Sequence, residues 1–347
     1  MGLHVGNQGG WRMTGLMNRR DVLAGLAGTT VLAGVPFAHA QDNAVRIGTS
    51  SVGSVYYVLA VGIGEMIRDI GGINTAVESV GGSSANINAL NRDEIDLALV
   101  NGFAAWSANN GSFGFRAAVD LRLVLQGQVT TRGLITRVDA GISDPADLEG
   151  KTIVGERRAL PEIRLILDTM IEHFGLDAGS INIVATTNSN EAYDALAAGS
   201  VDAVLAPYSP ASAAVERLFA AGLVEPFHLS APDRDAMIET LPAPIFAGTI
   251  PTNAMSGLSR PIELFAMNTY LVARPDLSEE TVHTISGTIF DNVDTLASYV
   301  SVGRFYTSER VTVSPGLPLH AGTVRYLKEA DLWTPEMEAV QSELLHP

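Results

Sequence analysis

Two short apolar segments near the start of the chain each lead into a loop of small residues, and this pattern constrains the fold most. Val45–Thr49 leads into the loop 50–54 (SSVGS), and Ile73–Glu78 leads into the loop 80–84 (VGGSS). Each loop precedes a segment in which small and apolar residues recur at helical spacing. Strands that alternate with helices predict a parallel sheet, with ligand sites outside the carboxyl ends of its strands.

The loops favour a small anion as the ligand. A third apolar segment, Asp96–Val100, ends in Asn101 and opens another predicted helix. Glycine and serine leave backbone N–H groups accessible, and the positive end of each helix dipole adds to the attraction for a negative charge. A carboxylate is the simplest group that fits. The candidate ligand-binding residues in this region are Ser50, Ser51, Ser54, Ser83, Ser84 and Asn101.

Two adjacent tyrosines, Tyr56 and Tyr57, follow the first loop in the first turn of its helix. Neighbouring side chains on a helix point about 100 degrees apart, so at most one of the two can face the core. We expect the other to face the ligand cleft, and both are therefore candidates for the site.

Composition excludes several classes of function. The chain has 347 residues, which suits two lobes, and its hydrophobic content of 46% allows a full core. The formal net charge of −16 disfavours nucleic acid as a partner. Because cysteine is absent, the chain has neither disulfides nor thiolate chemistry.

The first forty residues are typical of an export signal. Arg19 and Arg20 resemble the twin-arginine pattern, a short apolar stretch follows, and Ala38-His39-Ala40 forms a small-x-small cleavage site. We therefore predict a signal peptide over residues 1–40, cleaved near Ala40, and a periplasmic protein. A membrane anchor is the alternative, but the apolar run is short and rich in glycine. The start codon is either Met1 or Met17.

Three segments of this region, together with the tail, resemble one known family. Residues 48–57 (GTSSVGSVYY), 78–90 (ESVGGSSANINAL) and 94–102 (EIDLALVNG) are similar to the opening motifs of the TAXI-type solute receptors. Residues 317–330 (LPLHAGTVRYLKEA) resemble the tail motif of that family. These receptors are the extracytoplasmic binding proteins of TRAP transporters. The resemblance implies a TRAP-type membrane permease as partner and a small organic acid or amino acid, such as glutamate or 2-oxoglutarate, as solute.

The predicted fold is a type II-like periplasmic binding protein of the α/β class. Each of its two lobes has a mainly parallel sheet flanked by helices, and hinge strands join them. We place lobe I at residues 42–131 plus 250–347 and lobe II at residues 132–249. A short internal repeat supports two similar units. The number of residues from Leu90 to Asp96 equals the number from Leu196 to Asp202.

The second lobe departs from the family pattern at its first loop. The family has a glycine- and serine-rich loop after the strand Thr152–Val154, whereas this chain has Arg157 and Arg158. A guanidinium can replace backbone amides as a partner for a carboxylate. We predict that one of the two arginines holds the ligand and that the other lies on the surface, and the sequence leaves open which. Tyr208 and Ser209 replace two glycines of the family and should narrow the site.

No motif in the sequence indicates an enzyme. There is no G-x-S-x-G elbow, no P-loop lysine follows Gly53, and no histidines have metal-ligand spacing. We therefore predict no catalytic residue, no metal and no cofactor. Two alternatives stay open, namely the binding protein of an ABC importer, which has the same fold, and an exported enzyme.

Overall fold

The computed structural model describes residues 44–254 and 258–346, so the predicted signal segment 1–40 lies outside the described residues. Within these ranges ten strands form one sheet. The strands are Val45–Thr49 (β1), Thr75–Ser79 (β2), Leu97–Asn101 (β3), Arg122–Arg137 (β4), Thr152–Glu156 (β5), Asn182–Ala185 (β6), Ala203–Pro207 (β7), Val224–Pro226 (β8), Phe246–Ile250 (β9) and Ile262–Ala273 (β10).

Helices connect most of these strands and cover the sheet. The helices are Val55–Asp69 (α1), Ser83–Asn91 (α2), Gly102–Asn109 (α3), Glu162–His173 (α4), Ser189–Ala197 (α5), Ala213–Ala220 (α6), Ala231–Ile238 (α7), Glu279–Phe290 (α8), Val293–Tyr299 (α9), Ser308–Val311 (α10), Ala321–Glu329 (α11) and Pro335–Leu345 (α12). No helix in the described ranges is long and apolar enough to cross a membrane.

The order of the strands divides the sheet into two matching halves. The order is β2-β1-β3-β10-β4-β7-β5-β6, with β8 beside β4 and β9 beside β10. β1, β2 and β3 are parallel to one another, as are β5, β6 and β7, whereas β10 and β4 run antiparallel to their neighbours. The predicted class is confirmed, because the chain folds as a two-lobed α/β protein with a mainly parallel sheet and flanking helices.

Two long strands, β4 and β10, pair with each other at the centre of the sheet and join its halves. β4 runs as one strand through Thr130 and Thr131, which separate two more apolar segments of the sequence. Both threonines, although polar, are β-branched and fit an extended strand. Arg132 pairs with Phe265 on β10 and with Pro207 on β7, so it lies where β4 passes from one half to the other.

The apolar core is divided in the same way. One cluster of buried side chains joins β1, β3, α1 and α8, while two further clusters cover opposite faces of the β5–β7 half. On that half, Ile153 and Val154 point to opposite faces, as successive strand residues do. The lobe boundaries 42–131 plus 250–347 and 132–249 remain a prediction. Ile250, Leu264 and Phe265 pack with lobe II residues, which favours a return to lobe I later along β10 than residue 250.

Candidate ligand-binding site

A cavity of about 80 Å³ lies at the carboxyl ends of the parallel strands, beside the point where β4 crosses between the halves. A buried water needs roughly 10–15 Å³, so the cavity has room for a small solute. Both halves contribute to its wall. The lining residues are Ser50, Gly53, Ser54, Val55, Tyr56, Gly82, Ser83, Gln128, Val129, Thr130, Arg132, Leu160, Ser189, Asn190, Tyr193, Pro207, Tyr208, Ser209, Ser212, Ala214 and Val302.

Four helices present their N-termini to this cavity. Ser54 caps α1 and Ser212 caps α6, and each side chain accepts a backbone N–H of its own first turn. Ser83 and Ser189 are the first residues of α2 and α5. Because each helix N-terminus carries partial positive charge and free N–H groups, the wall is suited to an anion.

The structure brings half of the predicted site residues together at the cavity. These residues are Ser50, Ser54, Tyr56, Ser83, Tyr208 and Ser209. The other predicted residues do not line it in the described structure. They are Ser51, Tyr57, Ser84, Asn101, Arg157 and Arg158.

The serines of the first two loops differ in what their hydroxyl groups contact. Ser83 Oγ accepts the backbone N–H of Asn101 at 3.0 Å, which ties the start of α2 to the end of β3. The hydroxyl groups of Ser51 and Ser84 are buried and have no hydrogen-bond partner among the described residues. The backbone N–H of Ser84 donates to Ala159 O at 3.2 Å, so this loop contacts the loop after β5.

Three tyrosines surround the cavity as neutral hydrogen-bonding groups. Tyr56 shares a hydrogen bond with Thr269 Oγ1 at 2.9 Å, and burial raises its pKa to about 12. Tyr193 donates to the Pro207 carbonyl at 2.6 Å, and burial raises its pKa to about 12 as well. Tyr208 is 1% exposed, burial raises its pKa, and its hydroxyl group has no partner in the described chain. Tyr57 is half-buried outside the lining.

A buried ion pair anchors the charged side of the cavity. Arg132 is 2% exposed and Glu162 is fully buried, and Arg132 Nη2 lies 2.5 Å from Glu162 Oε1. The same oxygen accepts Asn101 Nδ2 at 2.8 Å, so the first lobe also contributes to this pair. Since Arg132 lines the cavity, its guanidinium is the charged group best placed for a ligand anion.

The two predicted arginines occupy different environments. Arg158 is exposed, whereas Arg157 is 3% exposed and donates to Ser189 Oγ at 2.7 Å and to the Gly81 carbonyl. Arg157 thus lies behind the wall rather than in it. Glu162, which is close to both arginines in the sequence, is the buried partner of Arg132.

Sequence reasoning missed several lining residues. Ser189 and Asn190 belong to the second of the two similar units in the sequence. An alignment of the two units would have matched Ser189 with Ser83, which also lines the cavity. Arg132 carried one signal, a charged residue inside an otherwise apolar strand segment. Gln128, Thr130, Tyr193 and Ser212 gave no signal of their own.

The described histidines and carboxylates do not assemble into a metal site. No group of three or more such residues that could hold a metal ion occurs in residues 44–254 and 258–346. The acidic residues near the cavity are engaged elsewhere, since Glu162 pairs with Arg132 and Glu156 lies 3.5 Å from Arg164. The described cavity wall offers hydrogen-bonding groups and the positive potential of helix N-termini.

A family profile described as the NMT1-like family matches residues 47–330 of the chain. The match begins inside β1 and ends directly after α11, so it spans both halves of the sheet.

Solved structures share the fold at low sequence identity. MatC from Rhodopseudomonas palustris with bound malate is 12% identical, with a TM-score of 0.55 over 87% of this chain and 99% of MatC. PhnD1 from Prochlorococcus marinus in complex with methylphosphonate is 8% identical, with a TM-score of 0.53 over 84% of this chain and 99% of that one. An R. palustris protein with adipate is 18% identical, with a TM-score of 0.50 over 75% and 86% of the two chains.

Proposed function

The chain belongs to the NMT1-like family, and on that premise we propose that it is an extracytoplasmic solute receptor. It captures a small carboxylate-bearing solute, an organic acid or an amino acid, between its two lobes. It then delivers the solute to a membrane transporter. Closure of hinged lobes around a ligand is a standard route by which binding changes the shape of a protein.

One observation carries the proposal, namely that helix N-termini and Arg132 converge on one small cavity. The N-termini of α1, α2, α5 and α6 contribute partial positive charge, and Arg132 contributes a guanidinium. An anion bound there receives charge-assisted hydrogen bonds, which are stronger than neutral ones. The neighbours solved with malate, adipate and methylphosphonate carry small anions in the same fold, which supports the chemical class of the solute.

The membrane partner we propose is a TRAP-type permease. Support comes from the TAXI-like motifs in residues 48–57, 78–90 and 317–330. An ABC importer is the competing partner, because its binding proteins share this fold. The membrane-protein genes beside this gene separate the two, since a TRAP-type receptor lies next to permease subunits and an ABC-type receptor next to an ATPase.

A thermal-shift screen of organic acids and amino acids tests the proposed function. A solute that binds the folded protein raises the melting temperature by mass action, and calorimetry then gives its affinity and stoichiometry. We expect one carboxylate-bearing solute to bind at one site per chain. Failure of every carboxylate, together with a visible cofactor absorbance or bound metal in the purified protein, contradicts the proposal in favour of an exported enzyme.

A further inference from the structure

Arg157 is a buried cation that forms no ion pair with any carboxylate of the described residues. Its side chain is 3% exposed, and its hydrogen bonds go to the Ser189 hydroxyl and the Gly81 carbonyl, both uncharged. Its Nε has no hydrogen-bond partner in the described part of the chain. Neutral partners of this kind stabilise a guanidinium less than a carboxylate does.

The position of Arg157 couples it to closure of the lobes. Arg157 lies in the loop after β5, whereas Gly81 lies in the loop after β2 of the other lobe. The two loops are in direct contact, since a Cβ on Gly82 would lie 3.2 Å from Ala159 Cβ and 3.4 Å from Arg157 Nη2. The guanidinium is buried where this contact lies, so separation of the lobes would expose it to water.

The charges buried by this contact do not cancel. Arg132 and Glu162 neutralise each other, so Arg157 leaves one net positive charge behind the cavity wall. Burial, together with repulsion from Arg132, lowers the pKa of Arg157 to about 10, and attraction from Glu162 offsets part of that shift. Burying an unpaired charge is costly. An anion in the cavity compensates this positive charge. It would lie close to Arg157, because Ser189 accepts a hydrogen bond from Arg157 and also lines the cavity.

We propose that Arg157 makes closure of the lobes conditional on a negatively charged solute. It opposes closure of the ligand-free receptor and permits closure when an anion occupies the cavity. The inference rests on the proposed function as a hinged solute receptor. Arg157 is then a positioning residue that selects solutes by charge without touching them.

The absence of cysteine from the sequence allows a direct test by spin labelling. Asn91→Cys at the end of α2 and Ala197→Cys at the end of α5 place one label on an exposed position of each lobe. Pulsed EPR on the full ligand-free chain then gives the fraction of molecules with the label distance of the closed structure. We expect Arg157→Gln and Arg157→Ser to raise that fraction at least about threefold. Arg158→Gln, at the exposed neighbour, should leave it unchanged.

Two further variants extend the test in case a neutral substitution at 157 fails to fold. Arg157→Lys keeps the charge and should keep the distribution of the parent protein, whereas Glu162→Gln adds net positive charge and should lower the closed fraction. An unchanged or smaller closed fraction in Arg157→Gln overturns the inference, because Arg157 is then only a structural clamp. If the parent shows one fixed distance with and without 2-oxoglutarate, malate and glutamate, the receptor function itself is contradicted.

Discussion

Asp96 and Asp202 make the same pair of hydrogen bonds at equivalent places in the two lobes. Asp96 Oδ2 accepts the backbone N–H of Arg46 at 2.8 Å, and Asp202 Oδ2 accepts that of Thr152 at 2.8 Å. In return, the backbone N–H of each aspartate donates to the carbonyl of the same partner, at 2.9 Å and 2.8 Å respectively. Each aspartate thus fixes the start of the central parallel strand of its lobe.

The equivalence extends through the whole βαβαβ unit. Ile47 pairs with Leu97 in the first lobe, and Ile153 pairs with Ala203 in the second. Each residue of the second pair follows its equivalent in the first pair by the same number of residues. At the same separation, Ser83 opens α2 and Ser189 opens α5. The site is therefore formed by two copies of one unit, whose helix N-termini face each other across the cavity.

Removal of one partner of the buried ion pair should destabilise the fold strongly. Arg132→Ala leaves Glu162 buried without its partner, which should lower the free energy of unfolding by about 3–5 kcal/mol. The double variant Arg132→Met, Glu162→Met replaces the pair by apolar groups and should recover most of that loss. Urea unfolding of the single and double variants measures both values. A double variant as unstable as Arg132→Ala contradicts this account of the pair.

Tyr208 and Tyr193 form a matched pair for testing the cavity wall. Tyr208→Phe removes a buried hydroxyl group that has no partner among the described residues, so the ligand-free protein should be as stable or more stable. Binding of the solute should weaken by about 0.5–1.5 kcal/mol if that hydroxyl group donates to it.

Tyr193→Phe is the control, because the Tyr193 hydroxyl group already donates to the Pro207 carbonyl. Its loss should reduce the stability of the ligand-free protein by about 0.5–1.5 kcal/mol. Thermal unfolding and calorimetry on both variants separate the two effects. Equal behaviour of the two variants argues against a ligand contact at Tyr208.

The predictability of the site differs between its parts. The loops after β1 and β2 were predictable, because glycine and serine at strand ends indicate anion sites locally. The pairing of Arg132 with Glu162 was not, because it depends on where β4 crosses the sheet and on how α4 packs against β5 and β7. Arg157 and Arg158 are adjacent in sequence, and tertiary packing alone decides which of them is buried.

His320 should make stability depend on pH. It caps α11, its Nδ1 accepts the Gly322 N–H at 3.1 Å, and burial lowers its pKa. Because the pKa is lower in the folded than in the unfolded state, this contribution is complete above the unfolded value of about 6.5. It is lost as the pH falls below that value.

His320→Asn keeps a capping side chain and removes the titration. Its melting temperature should therefore fall less between pH 7.5 and pH 5 than that of the parent protein. Some pH dependence should persist, because burial also lowers the pKa of His228. His346→Asn, at an exposed position, serves as the control. A pH profile that His320→Asn does not alter excludes His320 as the source.

Export should depend on Arg19 and Arg20, which lie outside the described residues. The apolar stretch that follows is short and rich in glycine, so export should rely on the arginine pair. Replacement of both arginines by lysine should cause the precursor to accumulate inside the cell, as cell fractionation would show. Unchanged periplasmic yield would reject the twin-arginine assignment.

The central claim is that the cavity recognises a negative charge. Calorimetry with the best carboxylate from the screen and with its primary amide, which has nearly the same shape, tests this claim most directly. We predict that the carboxylate binds at one site and that the amide binds at least about tenfold more weakly, since a charged hydrogen bond contributes about 1.5–3 kcal/mol. Equal affinity for the acid and its amide would contradict the account.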